Sequence, residues 1–115
     1  MVRARAVDHG FNLIEQTKLI TAASELARNT ITHGGGGTVR IESLEEHGRK
    51  GLRLVFEDQG PGIPDVNLAL KDGYTTAGGL GLGLGGARRL ADEFSIESAP
   101  GKGTRVGIVL WRSGP

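Results

Sequence analysis

Apolar residues recur at helical spacing in the first third of the chain. Asn12, followed three residues later by Glu15, has the form of a capping box, in which each side chain bonds the other residue's backbone N–H at a helix start. The glycine run after His33 ends the pattern, because glycine readily takes the left-handed conformation that closes helices. A long helix is therefore predicted between these signals. Its apolar stripe comprises Ile14, Leu19, Ile20, Ala23, Leu26, Ala27 and Ile31.

Two pairs of shorter segments predict antiparallel strands. Residues 38–45 and 52–56 show the apolar–polar alternation of half-buried strands, and a polar turn at 46–51 separates them. Residues 94–98 and 104–111 form the second pair, joined by the tight turn 100–103. Two hairpins of this kind indicate a sheet whose strands are mostly antiparallel.

The middle of the chain is less regular. The prolines and glycines of 58–64 exclude a helix or strand, 66–70 could form a short helix, and 74–79 is small, polar and expected to be mobile. A second helix is predicted from about Leu82, on the apolar positions Leu84, Ala87, Leu90, Ala91 and Phe94. The order of elements predicts an α+β fold, a two-layer α/β sandwich with helices on one face of a mostly antiparallel, mixed sheet.

Length and charge narrow the function classes. A chain of 115 residues suits a single domain spanning 1–115. The formal net charge of +1 argues against nucleic-acid and membrane-surface binding, which usually require a basic excess. The chain has no cysteine, no apolar run of the ~20 residues that a membrane span needs, and no signal-peptide core at its start. A soluble cytoplasmic protein is expected.

Glycine is the compositional outlier, with 20 of 115 residues against a usual share of ~7%. The glycines cluster at 34–37, 60–62, 78–86 and 101–103. Such clusters suggest a backbone that approaches a ligand at several points. Composition alone leaves open that they are unrelated loops.

The first candidate motif lies on the long helix, where Glu25 and Asn29 stand four residues apart and so project from one face. A carboxylate can accept the proton of an attacking hydroxyl, and an amide oxygen is a hard ligand that suits Mg²⁺. A solvated polar helix face explains an isolated pair of this kind equally simply.

Two glycine-rich motifs follow. In the first, Asp58 ends a strand and precedes Gly60 and Gly62; the carboxylate can accept a hydrogen bond from an amino group, while the glycines let a planar ring approach. A glycine- and proline-rich turn is the alternative. The second, 78–86, leads into a helix whose free N–H groups can bind an anion. It lacks the lysine of a Walker loop, and a polar loop, not a first strand, precedes it, so a Rossmann fingerprint fits poorly.

The order of these motifs resembles that of the GHKL (Bergerat-fold) ATPase and kinase superfamily. Glu25, Asn29, Ile31 and His33 resemble its N box, 58–62 and 79–83 its two glycine boxes, and 101–104 its closing segment. Within the superfamily, the phrases 23–29, 57–65, 72–81 and 89–95 are most similar to the anti-sigma-factor serine/threonine kinases, and above all to the stressosome switch kinases. The resemblance covers roughly residues 10 to 112.

The resemblance implies a role for each matching residue. Glu25 would be the general base, Asn29 would hold Mg²⁺ and contact the nucleotide, and Asp58 would receive the adenine amino group of ATP. Gly62 and Thr104 would line the base pocket. Backbone N–H groups of a lid running from about residue 74 to 84 would bind the phosphates. The further nucleotide-binding residues expected are Gly60, Thr75, Thr76, Gly79, Gly81, Leu82, Gly83, Leu84 and Gly85.

The same resemblance implies a protein serine/threonine kinase of a sigma-factor stress-response pathway. Its substrate would be a STAS-domain antagonist, and a phosphatase could be activated by binding. The alternatives are an anti-sigma factor that sequesters a sigma factor directly and a nucleotide-binding module without transfer activity. A sensor histidine kinase fits less well, since His9, His33 and His47 do not lie in the context of a phosphoacceptor histidine.

The start of the chain departs from the family pattern. Family domains usually begin with a strand and a full helix, whereas only residues 1–11 precede Asn12 here. The strand and most of the first helix are therefore expected to be missing. Apolar surface uncovered in this way would either favour self-association, with a homodimer as the simplest form, or weaken the fold.

Overall fold

A computed structural model of the chain describes residues 2–63, 70 and 83–113. The described helices are α1 (Val2–Asp8), α2 (Leu13–Gly34) and α3 (Gly83–Leu90). The strands are β1 (Gly37–Glu46), β2 (Arg49–Asp58), β3 (Glu93–Ser98) and β4 (Thr104–Trp111). The helix predicted at 66–70, apart from Leu70, and the segment 74–79 lie outside the described residues.

The predicted start and end of the long helix are confirmed. The Asn12 side chain accepts a 2.7 Å hydrogen bond from the Glu15 N–H, and the Glu15 carboxylate accepts one of 2.7 Å from the Asn12 N–H. At the other end Gly35 is left-handed (φ 74°) and donates its N–H to the Thr30 carbonyl. Because both signals act within one turn of helix, short-range sequence was enough to predict them.

Glu15 also fastens the end of the chain, since its second carboxylate oxygen accepts a 2.7 Å hydrogen bond from the Ser113 N–H. Partial burial opposes ionisation, but hydrogen bonds from Ser113 and Asn12 and the charge of Arg112 outweigh it and lower the pKa of Glu15. Such a group stabilises the fold above its unfolded pKa, and the contribution is lost as the pH falls through the folded pKa.

We therefore expect Glu15→Gln to reduce the free energy of unfolding by about 1 kcal/mol at pH 7. The difference in unfolding free energy between wild type and variant should shrink as the pH falls below the ordinary glutamate pKa of 4.5. Protonation of Glu15 then removes the same stabilisation from the wild type. Urea denaturation at a series of pH values measures this. Glu45→Gln, at an exposed position on β1, is the control and should cost less than about 0.5 kcal/mol throughout. A deficit that does not vary with pH would contradict the linkage.

The first hairpin is tighter than predicted. β1 and β2 pair antiparallel from Gly37↔Asp58 to Glu46↔Arg49, which leaves only His47 and Gly48 in the turn. Both turn residues have positive φ, 55° and 77°. This matches the type I′ geometry that fits the twist of a two-strand ribbon. The strands therefore extend further into the polar segment 46–51 than side-chain alternation suggested.

The four strands form one sheet in the order β1-β2-β4-β3, and every described pair is antiparallel. Helices cover one face, which confirms the two-layer α+β fold. Leucine-sized side chains stabilise such an interface by about 1.5–3 kcal/mol each on full burial. The sheet contributes Leu52, Leu54, Phe56, Val106, Ile108 and Leu110 to the core, and the helices with their flanks contribute Ala6, Phe11, Leu19, Ala22, Leu26, Leu84 and Ala87.

Two features at the edges of the fold bear on the sequence expectations. α3 ends at Leu90, and Phe94, whose spacing also fitted that helix, lies in β3 opposite Ile108. Near the start of the chain, Val7, Leu13 and Ile14 are 55%, 69% and 68% exposed. Among the described residues, no helix is both long enough and apolar enough to cross a membrane.

Candidate functional site

Three polar side chains stand in a row across the sheet where β2 and β3 end and β4 begins. Asp58 is opposite Thr104, and Thr104 is opposite Ser98. We call Asp58, Thr104 and Ser98 the strand-end row. Directly opposed residues point to the same face of a sheet, and here that is the helix-covered face. Asp58 and Thr104 are 5% and 6% exposed, so the row places polar atoms beside the buried apolar residues of this face.

Only one of the two Asp58 carboxylate oxygens accepts a hydrogen bond from the described part of the protein. Its Oδ1 accepts a 2.9 Å hydrogen bond from the Gly60 N–H, an Asx-type turn that leads the chain out of β2. No other hydrogen bond to this carboxylate is found among the described residues, and none of their fully buried polar side-chain atoms lacks a partner. Among the described residues Oδ2 has no hydrogen-bond partner, so its lone pairs are available to a donor.

Glycine lets the end of α2 approach this carboxylate. A Cβ at Gly34 would collide with the Asp58 side chain, and a Cβ at Gly60 would lie 2.6 Å from the Gly34 Cα. Gly60, which the resemblance implied as a nucleotide contact, is therefore also the residue through which the first glycine motif packs on the end of α2. The tertiary structure thus packs the end of the helix that carries the first motif against the second motif.

The loop after Asp58 and the β3–β4 turn form one joint. The Gly101 N–H donates to the Pro61 carbonyl at 2.7 Å, and the Ile63 N–H donates to the Ser98 hydroxyl at 2.7 Å. Between them Gly62, at φ 81°, lies so close to Ala99 that a Cβ would overlap the Ala99 carbonyl oxygen. The two loops therefore hold each other in place beside the strand-end row.

Gly62→Ala is expected to disrupt this joint much more than Gly101→Ala. Both glycines have positive φ, 81° and 77°, so both variants bear the left-handed strain of about 1–2 kcal/mol. A Cβ at Gly101 meets nothing within 4 Å, whereas at Gly62 it meets backbone, which adds about 1–3 kcal/mol. Thermal unfolding measures the difference. Equal losses of stability in the two variants would show that the packing of Gly62 on Ala99 is unimportant.

Glu25 and Asn29 lie on α2, as predicted, one turn apart. The Glu25 side chain is 11% exposed, and its Oε1 lies 3.3 Å from Nη1 of the exposed Arg28. Asn29 is half-buried. At 1.5 Å per residue, Asn29 is about 7 Å and Glu25 about 13 Å along the helix axis from Gly34, where α2 meets Asp58.

The second glycine motif is described only from Gly83 onward, where α3 begins. Leu84 is 5% exposed and belongs to the hydrophobic core, so what it can offer a ligand is its backbone N–H. The first-turn N–H groups of a helix have no partner within the helix, so those of Gly83, Leu84 and Gly85 suit an anion. The other expected residues, Thr75, Thr76, Gly79, Gly81 and Leu82, lie outside the described residues.

An open cavity of about 570 Å³ adjoins the strand-end row. The strand-end row lines it, together with Gln59, Lys102 and Gly103 among others. Sequence reasoning missed Ser98, which stands in no recognisable motif, and Gly34, which belonged to a glycine run assigned only to the end of a helix.

Comparisons with known proteins identify the family of the chain. Residues 14–113 match the family described as histidine kinase-, DNA gyrase B-, and HSP90-like ATPase. The chain is 47% identical over 106 residues to serine/threonine-protein kinase RsbT of Bacillus subtilis (strain 168), covering 92% of this chain and 80% of that protein. It is 36% identical over 99 residues to an anti-sigma F factor of Clostridium novyi (strain NT), covering 80% and 68%.

A solved structure shares the fold. The mycobacterial sensor histidine kinase MprB superposes with a TM-score of 0.61 at 26% identity, over 84% of this chain and 72% of that chain. The family match confirms the resemblance that the order of the motifs indicated. From the family match over residues 14–113, the chain belongs to the histidine kinase-, DNA gyrase B-, and HSP90-like (GHKL) ATPases.

Proposed function

We propose that this chain is an ATP-dependent protein serine/threonine kinase of a sigma-factor partner-switching pathway, and that residues 1–115 act as one ATP-binding domain. The observation that carries the proposal is the position of α2. Its end packs on Asp58, while Glu25 and Asn29 project from one face further along the same helix. The Asn29 amide and the Glu25 carboxylate thus lie on the same rigid helix whose end packs on the Asp58 carboxylate.

ATP fits the chemistry of these residues. Asp58 Oδ2 would accept the adenine amino group, and Gly62 and Thr104 would border the base. The first-turn N–H groups of α3 would face the phosphates, with the charge preference of a helix N-terminus. The Asn29 amide oxygen is a suitable ligand for Mg²⁺, which usually takes one or two protein groups together with substrate phosphates. When bound, Mg²⁺ would neutralise phosphate charge.

Glu25 is the residue placed to handle the proton of the acceptor. The oxygen of a serine or threonine hydroxyl forms a bond to the γ-phosphorus, while the bond from that phosphorus to the β–γ bridging oxygen breaks and ADP leaves. Glu25 takes the hydroxyl proton. Since phosphoryl transfer depends mainly on positioning and charge stabilisation, these groups could suffice.

The relatives favour protein serine/threonine kinase activity over the alternatives. RsbT is named as such a kinase, and it matches at higher identity than the anti-sigma F factor or the histidine kinase MprB. We propose a STAS-domain antagonist as the substrate and a phosphatase as a second partner. Direct binding of a sigma factor is the second candidate function, on the strength of the 36% identity to an anti-sigma F factor. Self-association through the exposed Val7, Leu13 and Ile14 remains a prediction.

The test mixes the chain with Mg²⁺-ATP and each STAS-domain protein or sigma factor of the same genome, and measures intact masses. The kinase proposal expects one phosphate on one partner. Calorimetry on the same samples measures ATP binding and partner binding separately. ATP binding without transfer to any partner would remove the kinase proposal, and tight binding of a sigma factor in that case would establish the second candidate. No ATP binding at all would contradict the site itself.

A further inference from the structure

The Ser98 hydroxyl lies within hydrogen-bonding distance of three partners, although Ser98 belongs to no motif recognised in the sequence. It lies 2.7 Å from the Ile63 N–H, 3.1 Å from the Gly103 carbonyl oxygen and 2.8 Å from the Thr104 hydroxyl oxygen. These three partners come from the loop after Asp58, the β3–β4 turn and the start of β4. One hydroxyl thus joins three described segments beside the strand-end row.

The directions of these hydrogen bonds follow from the number of protons available. A serine hydroxyl has one proton to donate and two lone pairs that accept. The Ile63 N–H can only donate, so it uses one lone pair. The Gly103 carbonyl can only accept, so it requires the Ser98 proton. The contact with Thr104 must then use the second lone pair of Ser98, which means that Thr104 donates.

This assignment determines what Thr104 can offer to a ligand. With its proton committed to Ser98, the Thr104 hydroxyl has only lone pairs left. Asp58, directly opposite on β2, is also an acceptor when ionised. The two side chains of the row that border a bound base therefore present acceptors only.

We propose that Ser98 is a positioning residue for nucleotide selection, which fixes the Thr104 hydroxyl as a hydrogen-bond acceptor and so favours a 6-amino purine over a 6-oxo purine. The inference rests on the proposed function, because it assumes that the base lies at the strand-end row. The 6-amino group has two protons and can donate to both acceptors, whereas a 6-oxo purine has only its N1–H to donate, and its oxygen would face an acceptor without a proton between them. Buried polar groups left unpaired in this way are a strong source of discrimination.

Removing the Ser98 hydroxyl should release the Thr104 proton. Thr104 could then donate to a 6-oxo group, and the penalty against that group would fall. We expect Ser98→Ala to lower the ratio of ATP affinity to inosine triphosphate affinity by about tenfold. Ser95→Ala, the same substitution at an exposed position on the same strand, is the matched control and should leave the ratio unchanged.

The experiment measures Kd for ATP and inosine triphosphate by calorimetry on the wild-type chain and each variant, after thermal unfolding has shown that they are folded. If Ser98→Ala is unfolded, Ser98→Cys replaces it, because a thiol is a poor acceptor and should also free the Thr104 proton. A merely structural role would weaken both nucleotides equally, and an unchanged ratio in a folded variant overturns the inference. A wild type that binds both nucleotides equally overturns it too. A wild type that binds neither instead contradicts the proposed function.

Discussion

Asp58→Asn should weaken ATP binding by about 100-fold while leaving the fold intact. The variant keeps the Oδ1 atom that accepts the Gly60 N–H, so the turn after β2 is preserved. What changes is the second oxygen, which becomes an NH₂ group. That group would face the adenine amino group donor to donor, in a site that is 5% exposed. Losing a charge-assisted hydrogen bond and leaving a buried donor unpaired costs about 1.5–3 kcal/mol, or roughly 10- to 150-fold.

Calorimetry with ATP checks this prediction. Asp92→Asn is a matched control, because the Asp92 carboxylate also accepts a backbone N–H, that of Trp111 at 2.7 Å, but at the opposite end of β4. The control should bind ATP as the wild type does. If Asp58→Asn binds ATP within about threefold of wild type, the base does not lie at the strand-end row.

Glu25→Gln should lower the rate of phosphoryl transfer by about 10²–10⁴-fold, the usual contribution of a general base. Glutamine has nearly the same shape but cannot take the proton of the attacking hydroxyl. The ion pair with Arg28 is also lost, but Arg28 is 55% exposed on its side chain, and pairs of this kind contribute at most about 1 kcal/mol. ATP affinity should therefore stay close to that of the wild type.

Single-turnover transfer to the phosphorylated partner, followed by intact mass, measures the rate. Glu42→Gln removes a glutamate that pairs with Arg40 and Arg53 on β1 and β2, and it should keep full activity. Loss of transfer together with loss of ATP binding would show that Glu25 supports the nucleotide site. Undiminished transfer would rule out Glu25 as the base.

The correctly predicted parts of the fold are those determined by residues that lie close together in the sequence. The Asn12–Glu15 capping box and the left-handed Gly35 act within one helical turn, so the limits of α2 could be predicted. The two hairpins follow from alternation and from short connections. Phe94 fitted both the helical spacing of α3 and the strand predicted at 94–98, and its pairing with Ile108 places it in β3.

For the candidate site, the sequence by itself determined which residue types were available and in what order. The N-box and glycine-box resemblance pointed to Glu25, Asn29 and Asp58, whose roles stay predictions. Only the tertiary structure decided how these segments meet. Gly34 packs on the carboxylate of Asp58, which is the last residue of the β1–β2 hairpin. The Ser98 hydroxyl accepts a hydrogen bond from the Ile63 N–H, 35 positions away in the sequence. A hydroxyl's partners depend on which strands become neighbours, and no local pattern around Ser98 carries that information.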